Sequence, residues 1–250
     1  MTVEKPAPKF PVIQLLPNLV TIIAICAGLT AIRFGLEGNY ERAVKLIILA
    51  AVLDVVDGAL ARMLKSESKI GAELDTLADF INFGVAPPLL MYFWGLQEAK
   101  GLGWIAALVY TVAAVLRLAR FNVSTKSDEE EESHGYFVGV PAPAGALLIM
   151  MPMFITFAIS DAPFLPPILI SIYMILVALT LISRVHTWSF KAMQVSREHI
   201  KYLLVGLIFV GAAVLNFPWT SLFLLGSAYI TIVLWCIFTQ RTPNPPKKQG

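Results

Sequence analysis

The sequence predicts an all-α fold: a polytopic integral-membrane helix bundle of about eight transmembrane helices. Three observations carry that expectation. Hydrophobic residues make up 57% of the 250-residue chain and charged residues only 14%, whereas soluble domains run near a quarter charged. Apolar stretches of about 18–22 residues, long enough to cross roughly 30 Å of hydrocarbon as helix, recur along the whole length. Charge is also lopsided. With a cytoplasmic N-terminus, all of the 19 Lys and Arg residues except Arg33, Arg42, Lys45 and Lys100 fall on the inner side, which fixes the threading.

The elements follow in order. A cytoplasmic segment, 1–14, precedes spans expected near 16–35, 41–62, 72–95, 102–122, 141–160, 164–183, 201–217 and 219–239. Turn or charge punctuation separates them: Gly38-Asn39, Lys65-Ser66-Glu67, Gly101, Asp161 with Pro163, and Phe217-Pro218. The first span follows a basic stretch as a signal peptide would, but Arg33 interrupts its end and no small-residue cleavage site closes it. An even span count returns the basic tail, 241–250, to the cytoplasm as a disordered segment. The acidic run from Ser127 to Ser133 reads as solvated and mobile. Cys26 and Cys236 lie in apolar runs, and His134, His186 and His199 are too scattered for a zinc site. Trp94, Trp104, Trp188, Trp219 and Trp235 sit near span ends, as aromatic belts do. A net charge of +2 gives no footprint for nucleic acid, and none is expected as a partner.

Chemistry is expected where burial is most costly. Carboxylates inside spans are expensive and therefore functional candidates, and this chain has four: Asp54, Asp57, Asp75 and Asp79. The first two are i, i+3 and the last two i, i+4, so each pair shares one helix face. Gly58 and Ala61 continue the first face, and Gly71, Ala78 and Asn82 the second, leaving room between the helices. Asp57 lies five residues before the inner-side Arg62, roughly 8 Å along a helix. The short connection 63–70 makes the helices antiparallel neighbours, so both acidic pairs fall just below the cytoplasmic surface. Carboxylates converging there would repel or protonate unless cations held them. Such hard oxygen donors suit Mg2+ or Mn2+, not zinc. Two such ions form a clamp for displacement at phosphorus. The alternative, neutralised acids packing helices through hydrogen bonds, would need only one or two of them.

Residues 54–79 read D-x-x-D-G-x-x-A-R-x8-G-x-x-x-D-x-x-x-D. This resembles the signature of the CDP-alcohol phosphotransferases, with no position missing. The resemblance implies transfer between a CDP-linked lipid and an alcohol, with CMP leaving. It implies that Asp54, Asp57 and Asp75 hold two divalent ions (Mg2+ or Mn2+), and that Asp79 is metal-adjacent and the general base. Gly58 and Ala61 would let the cytidine diphosphate approach, Gly71 would leave space for it, and Arg62 would neutralise phosphate charge. A homodimer is also implied.

Flanking segments, Phe80 to Pro87, Leu116 to Asn122 and Gly139 to Ala146, look like the phosphatidylserine synthase branch of that family. That similarity implies CDP-diacylglycerol and L-serine as substrates, in the cell inner membrane with the site facing the cytoplasm. It places the catalytic membrane domain at 15–160 and additional helices at 161–240. Pro17, Asn18 and Thr21 fit the branch, whereas Ala24 stands where an asparagine is common. Serine carries a carboxylate, so Arg117 and Arg120, i, i+3 at the inner end of the fourth span, are candidates to hold it or a lipid phosphate, with Asn122 just beyond. Snorkelling topology signals are the other reading of those arginines. Asn18 is either a polar lining residue or a helix cap, and Arg33 and Arg184 read as interface anchors. Glycerol 3-phosphate or inositol phosphate stays open as acceptor, and a divalent-cation or proton transporter is the rival class.

Overall fold

A computed structural model describes residues 15–99, 101–126, 136–138, 140–160, 163, 165–183, 186–188 and 200–239. The N-terminal segment 1–14, the acidic run 127–133, His134, His199, Lys100, Arg184 and the tail 241–250 lie outside the described residues. The chain forms two compact units, 1–86 and 87–250. This is a packing boundary, distinct from the functional one read at 160.

The first unit is built on close helix contact. Helix α1, Leu16–Leu36, starts with a proline in its first turn, where a missing N–H costs nothing. It buries Pro17, Thr21, Ala24, Gly28, Ala31 and Gly35, one stripe of mostly small residues at alternating steps of three and four. Small side chains let backbones approach, which is how helices associate in lipid. Ala24 and Ala27 accordingly pack on Ala50 of α2, Tyr40–Leu64. Between them Gly38 takes φ +76°, a conformation that favours glycine, and the Asn39 side chain caps α2 by accepting from the Arg42 amide at 3.4 Å. Arg33 pairs with Glu37 at 2.8 Å.

Helix α2 ends on Lys65 in the left-handed region, with the Ser66 amide donating back to the Ala61 carbonyl at 3.0 Å. Ser68 then caps α3, Lys69–Asp79, its hydroxyl accepting from the Gly71 amide at 3.0 Å. The helical path continues as a π-helical segment, Phe80–Val85, and α4, Ala86–Met91. Pro87 and Pro88 explain the change of winding. Lacking N–H groups, they leave the carbonyls one turn earlier without their usual donors, and a wider turn adjusts to that loss.

The second unit pairs α5, Gly101–Lys126, with α8, Pro167–Ile182. Helices α6, Ala142–Ile149, and α7, Met151–Ile159, meet at a 44° bend. Pro152 removes the donor that would serve the Leu148 carbonyl, and the Tyr173 hydroxyl of α8 donates to that oxygen instead, at 2.7 Å. Helix α10, Pro218–Thr239, packs on α7 and on α9, Ile200–Asn216. Trp94 is 9% exposed, a core residue and not part of a belt.

The fold is all-helical as expected, with one short strand pair among the described residues. Strands β1, Tyr136–Val138, and β2, His186–Trp188, pair antiparallel with Phe137 opposite Thr187. By length and composition, α1 and α5 are long and apolar enough to cross a membrane, and the bent α6–α7 pair makes a third if it is one span. Helix α2 has the length but carries Glu41, Arg42, Lys45, Asp54, Asp57 and Arg62. Helix α8 and the apolar part of α10 are shorter. This is a helical membrane protein; the count of eight spans goes beyond these criteria.

Candidate active site

Asp54 and Asp57 project from α2, and Asp75 from α3, so that one carboxylate oxygen of each lies within 4.8 Å of the others. Asp57 is buried, Asp54 half-buried and Asp75 exposed. Asp79 follows one turn after Asp75 on the same helix and lies beside Asp54. The antiparallel turn through Lys65 and Ser68 brings the two pairs to one level. At an effective dielectric of about 20, two unit charges roughly 5 Å apart repel by about 3 kcal/mol, and three such pairs are held together here. A divalent cation offsets that cost, and a cluster of carboxylate oxygens alone suits Mg2+ or Mn2+. The residues therefore fit the ions that the motif implies.

Beside the cluster lies a cavity of about 280 Å³. Helix α1 lines it with Pro17, Asn18 and Thr21, α2 with Asp57, Gly58, Ala61 and Arg62, and the turn and α3 with Ser66, Glu67, Ser68, Gly71, Ala72 and Asp75. The sequence-derived residues Asn18, Gly58, Ala61, Arg62 and Gly71 are thus brought together with two of the four aspartates. Position 71 is tight: an added Cβ would stand 3.0 Å from Asn18 Oδ1 and 3.1 Å from Ser68 Oγ, so both side chains would have to shift. At Gly58 it would stand 3.7 Å from Arg62 Nη1, so the guanidinium folds back one turn over the glycine, close to the cavity.

Asn82 is placed differently. It is 1% exposed, its amide N and O have no hydrogen-bond partner, and it packs against Gly28 of α1 instead of lining the cavity. Arg117, Arg120 and Asn122 belong to the second unit and are half-buried on α5. There Arg120 Nη2 donates to the Ile182 carbonyl at 2.9 Å, satisfying one of the carbonyls that the end of α8 leaves over.

Two polar groups were given no site role from the sequence, although Thr21 was seen to fit the branch. Thr21 donates to Asp57 Oδ2 at 2.6 Å, and Ser66 turns a buried, partnerless hydroxyl oxygen toward the cavity. Thr21 could have been found from its spacing, three residues after Asn18 on the α1 face. Ser66 gave no such signal, because its place depends on the left-handed turn at Lys65.

The family model for CDP-alcohol phosphatidyltransferase matches residues 14–185. The chain belongs to that family. The match takes in the whole aspartate motif and also Arg117 to Asn122, and it runs beyond residue 160. Among relatives, the chain is 35% identical over 230 residues to a CDP-diacylglycerol–serine O-phosphatidyltransferase of Mycobacterium tuberculosis, covering 92% of this chain and 80% of that one. It is 37% identical over 137 residues to a protein of the same name from Bacillus subtilis, covering 54% and 74%. A Helicobacter pylori protein of that name is 35% identical over 139 residues, 56% of this chain and 57% of the other. The matched span contains both the clustered acids and the residues that line the cavity beside them.

Proposed function

We propose that this chain transfers the phosphatidyl group of CDP-diacylglycerol to the hydroxyl of L-serine, releasing phosphatidylserine and CMP. The observation that carries the reading is the convergence of Asp54, Asp57 and Asp75 within 4.8 Å beside a cavity lined in part by Gly58, Ala61, Arg62 and Gly71 of the same motif. The likeness to relatives named for serine transfer supports the choice of acceptor.

Asp54, Asp57, Asp75 and Asp79 would hold two Mg2+ or Mn2+ ions, which supply charge stabilisation for the attacking and leaving oxygens at phosphorus. Gly58, Ala61 and Gly71 leave the backbone bare where the cytidine diphosphate enters, and Asn18 offers its amide to that ligand. Arg62 balances phosphate charge. Asp79 accepts the serine hydroxyl proton as the oxygen attacks, because a neutral alcohol is a poor nucleophile. Arg117, with Asn122 one turn and a half on, is assigned to the serine carboxylate. Arg120 is shared with the α8 carbonyl, which weakens its claim to the same role. Asn82, buried against Gly28, takes no part in this reading.

The same reading threads eight spans with both termini inside. The active site then opens to the cytoplasm at the inner membrane, where CDP-diacylglycerol is reached from the leaflet and serine from solution. The helices after 160 are additional to the catalytic part, and the working unit is a homodimer with one site per protomer.

The test is incorporation of radiolabelled serine into lipid by purified protein supplied with CDP-diacylglycerol. Incorporation that stops with chelator and returns with Mn2+ or Mg2+ is expected. Equal or better use of glycerol 3-phosphate or inositol phosphate would reject serine as the acceptor. Metal-dependent ion flux without CMP release would reject transfer altogether.

A further inference from the structure

The geometry points to Thr21 as a positioning residue that sets the Asp57 carboxylate for metal binding. This rests on the metal-dependent reading above and concerns a residue that lies on α1, outside the aspartate motif.

Thr21 is 5% exposed and Asp57 4% exposed, so neither group exchanges its partner freely with water. The hydroxyl has one proton and two acceptors in reach, Asp57 Oδ2 at 2.6 Å and the Pro17 carbonyl at 3.1 Å. The carboxylate is nearer, and a hydrogen bond to an ionised acceptor is the stronger. The Pro17 carbonyl is also the i−4 acceptor of the Thr21 amide within α1. The proton therefore goes to Asp57.

An aspartate does not fix its own carboxylate plane, since its terminal torsion is broad and two-fold. Here a neighbouring helix fixes it. The small-residue seam of Ala24, Ala27 and Ala50 draws α1 onto α2, and one turn closer to the cytoplasmic end the same seam brings the Thr21 hydroxyl to Oδ2. The carboxylate is thereby held in the orientation that places an oxygen within 4.8 Å of those of Asp54 and Asp75. Without the hydroxyl the plane would turn freely, and the ion would have to order it on binding.

The experiment compares the full-length protein with Thr21→Val, Thr21→Ala and Thr21→Ser, all purified in detergent. Mn2+ binding is titrated directly by calorimetry and by loss of the free-ion paramagnetic signal, and thermal unfolding is followed in chelator. Val keeps the shape and removes the donor, whereas Ser keeps the donor. Val and Ala are expected to bind Mn2+ roughly 10–100-fold more weakly, the usual cost of losing a partner of a metal ligand, with Ser retaining the wild-type affinity. A purely structural Thr21 would lower the unfolding temperature and leave affinity unchanged in the folded variants. Wild-type affinity in both Val and Ala, or a Ser variant as weak as Ala, overturns the assignment. A wild-type protein that takes up no Mn2+ overturns the metal-dependent reading itself, a distinguishable result. Should Val fail to fold, the contrast of Ala with Ser decides the same question.

Discussion

Gly28→Ala probes the contact that seats the helix carrying Asp79. A Cβ at position 28 would overlap Asn82 Oδ1, and would stand 3.0 Å from Asn82 Cγ and 3.4 Å from its Cα. Asn82 is 1% exposed, so its side chain has no free space to enter, whereas the approach to Cα is an ordinary contact. Overpacking of this kind costs about 1–3 kcal/mol, against a helix-propensity gain of at most about 1 kcal/mol for replacing glycine. The net expectation is a loss of roughly 1–2 kcal/mol, together with lower kcat, because Asp79 lies less than one turn before Asn82 and must shift with it. Asn82→Ala removes the clashing amide, so the double variant should recover most of the loss, giving a coupling of about 1–2 kcal/mol. The assay is chemical unfolding of the four proteins in detergent and chelator, followed by serine incorporation. A Gly28→Ala protein as stable as wild type, or a double variant that sums the single effects, refutes the reasoning.

Two further outcomes follow from the same site. Asp79→Asn should lower kcat by roughly 10²–10⁴-fold, the range lost with a general base, while CDP-diacylglycerol binding stays close to wild type; near-normal turnover would remove Asp79 from that role. Gly71→Ala should push Asn18 and Ser68 into the 280 Å³ cavity and raise KM for CDP-diacylglycerol by about tenfold or more, the worth of one misplaced methyl in a fitted pocket. Measuring kcat and KM separately checks this, since an effect confined to kcat would mean that the nucleotide does not lie there.

Much of the fold was legible because the relevant signals are local. Helices α1 to α10 fall where the apolar runs were expected, with the α6–α7 break at Pro152 lying inside one of them. The turns at Gly38-Asn39 and at Lys65 to Ser68 stand where punctuation placed them. The strands β1 and β2 were not legible, since three-residue pairings join positions about 50 apart and leave no periodicity to read. Trp94 misled for a related reason: proximity to a span end does not say which face a side chain takes.

The sequence by itself determined the chemistry available: four aspartates at helical spacing, glycines at fixed distances from them, and a chain too apolar for water. Spacing along a helix is a covalent property, so it can be read without folding anything. Only the tertiary structure decided which partners those groups meet. Thr21 on Asp57, Asn82 on Gly28 and Arg120 on the Ile182 carbonyl join residues 36 to 62 positions apart. Such meetings depend on how closely two helices approach and at what register, which small-residue packing sets collectively and no single stretch encodes.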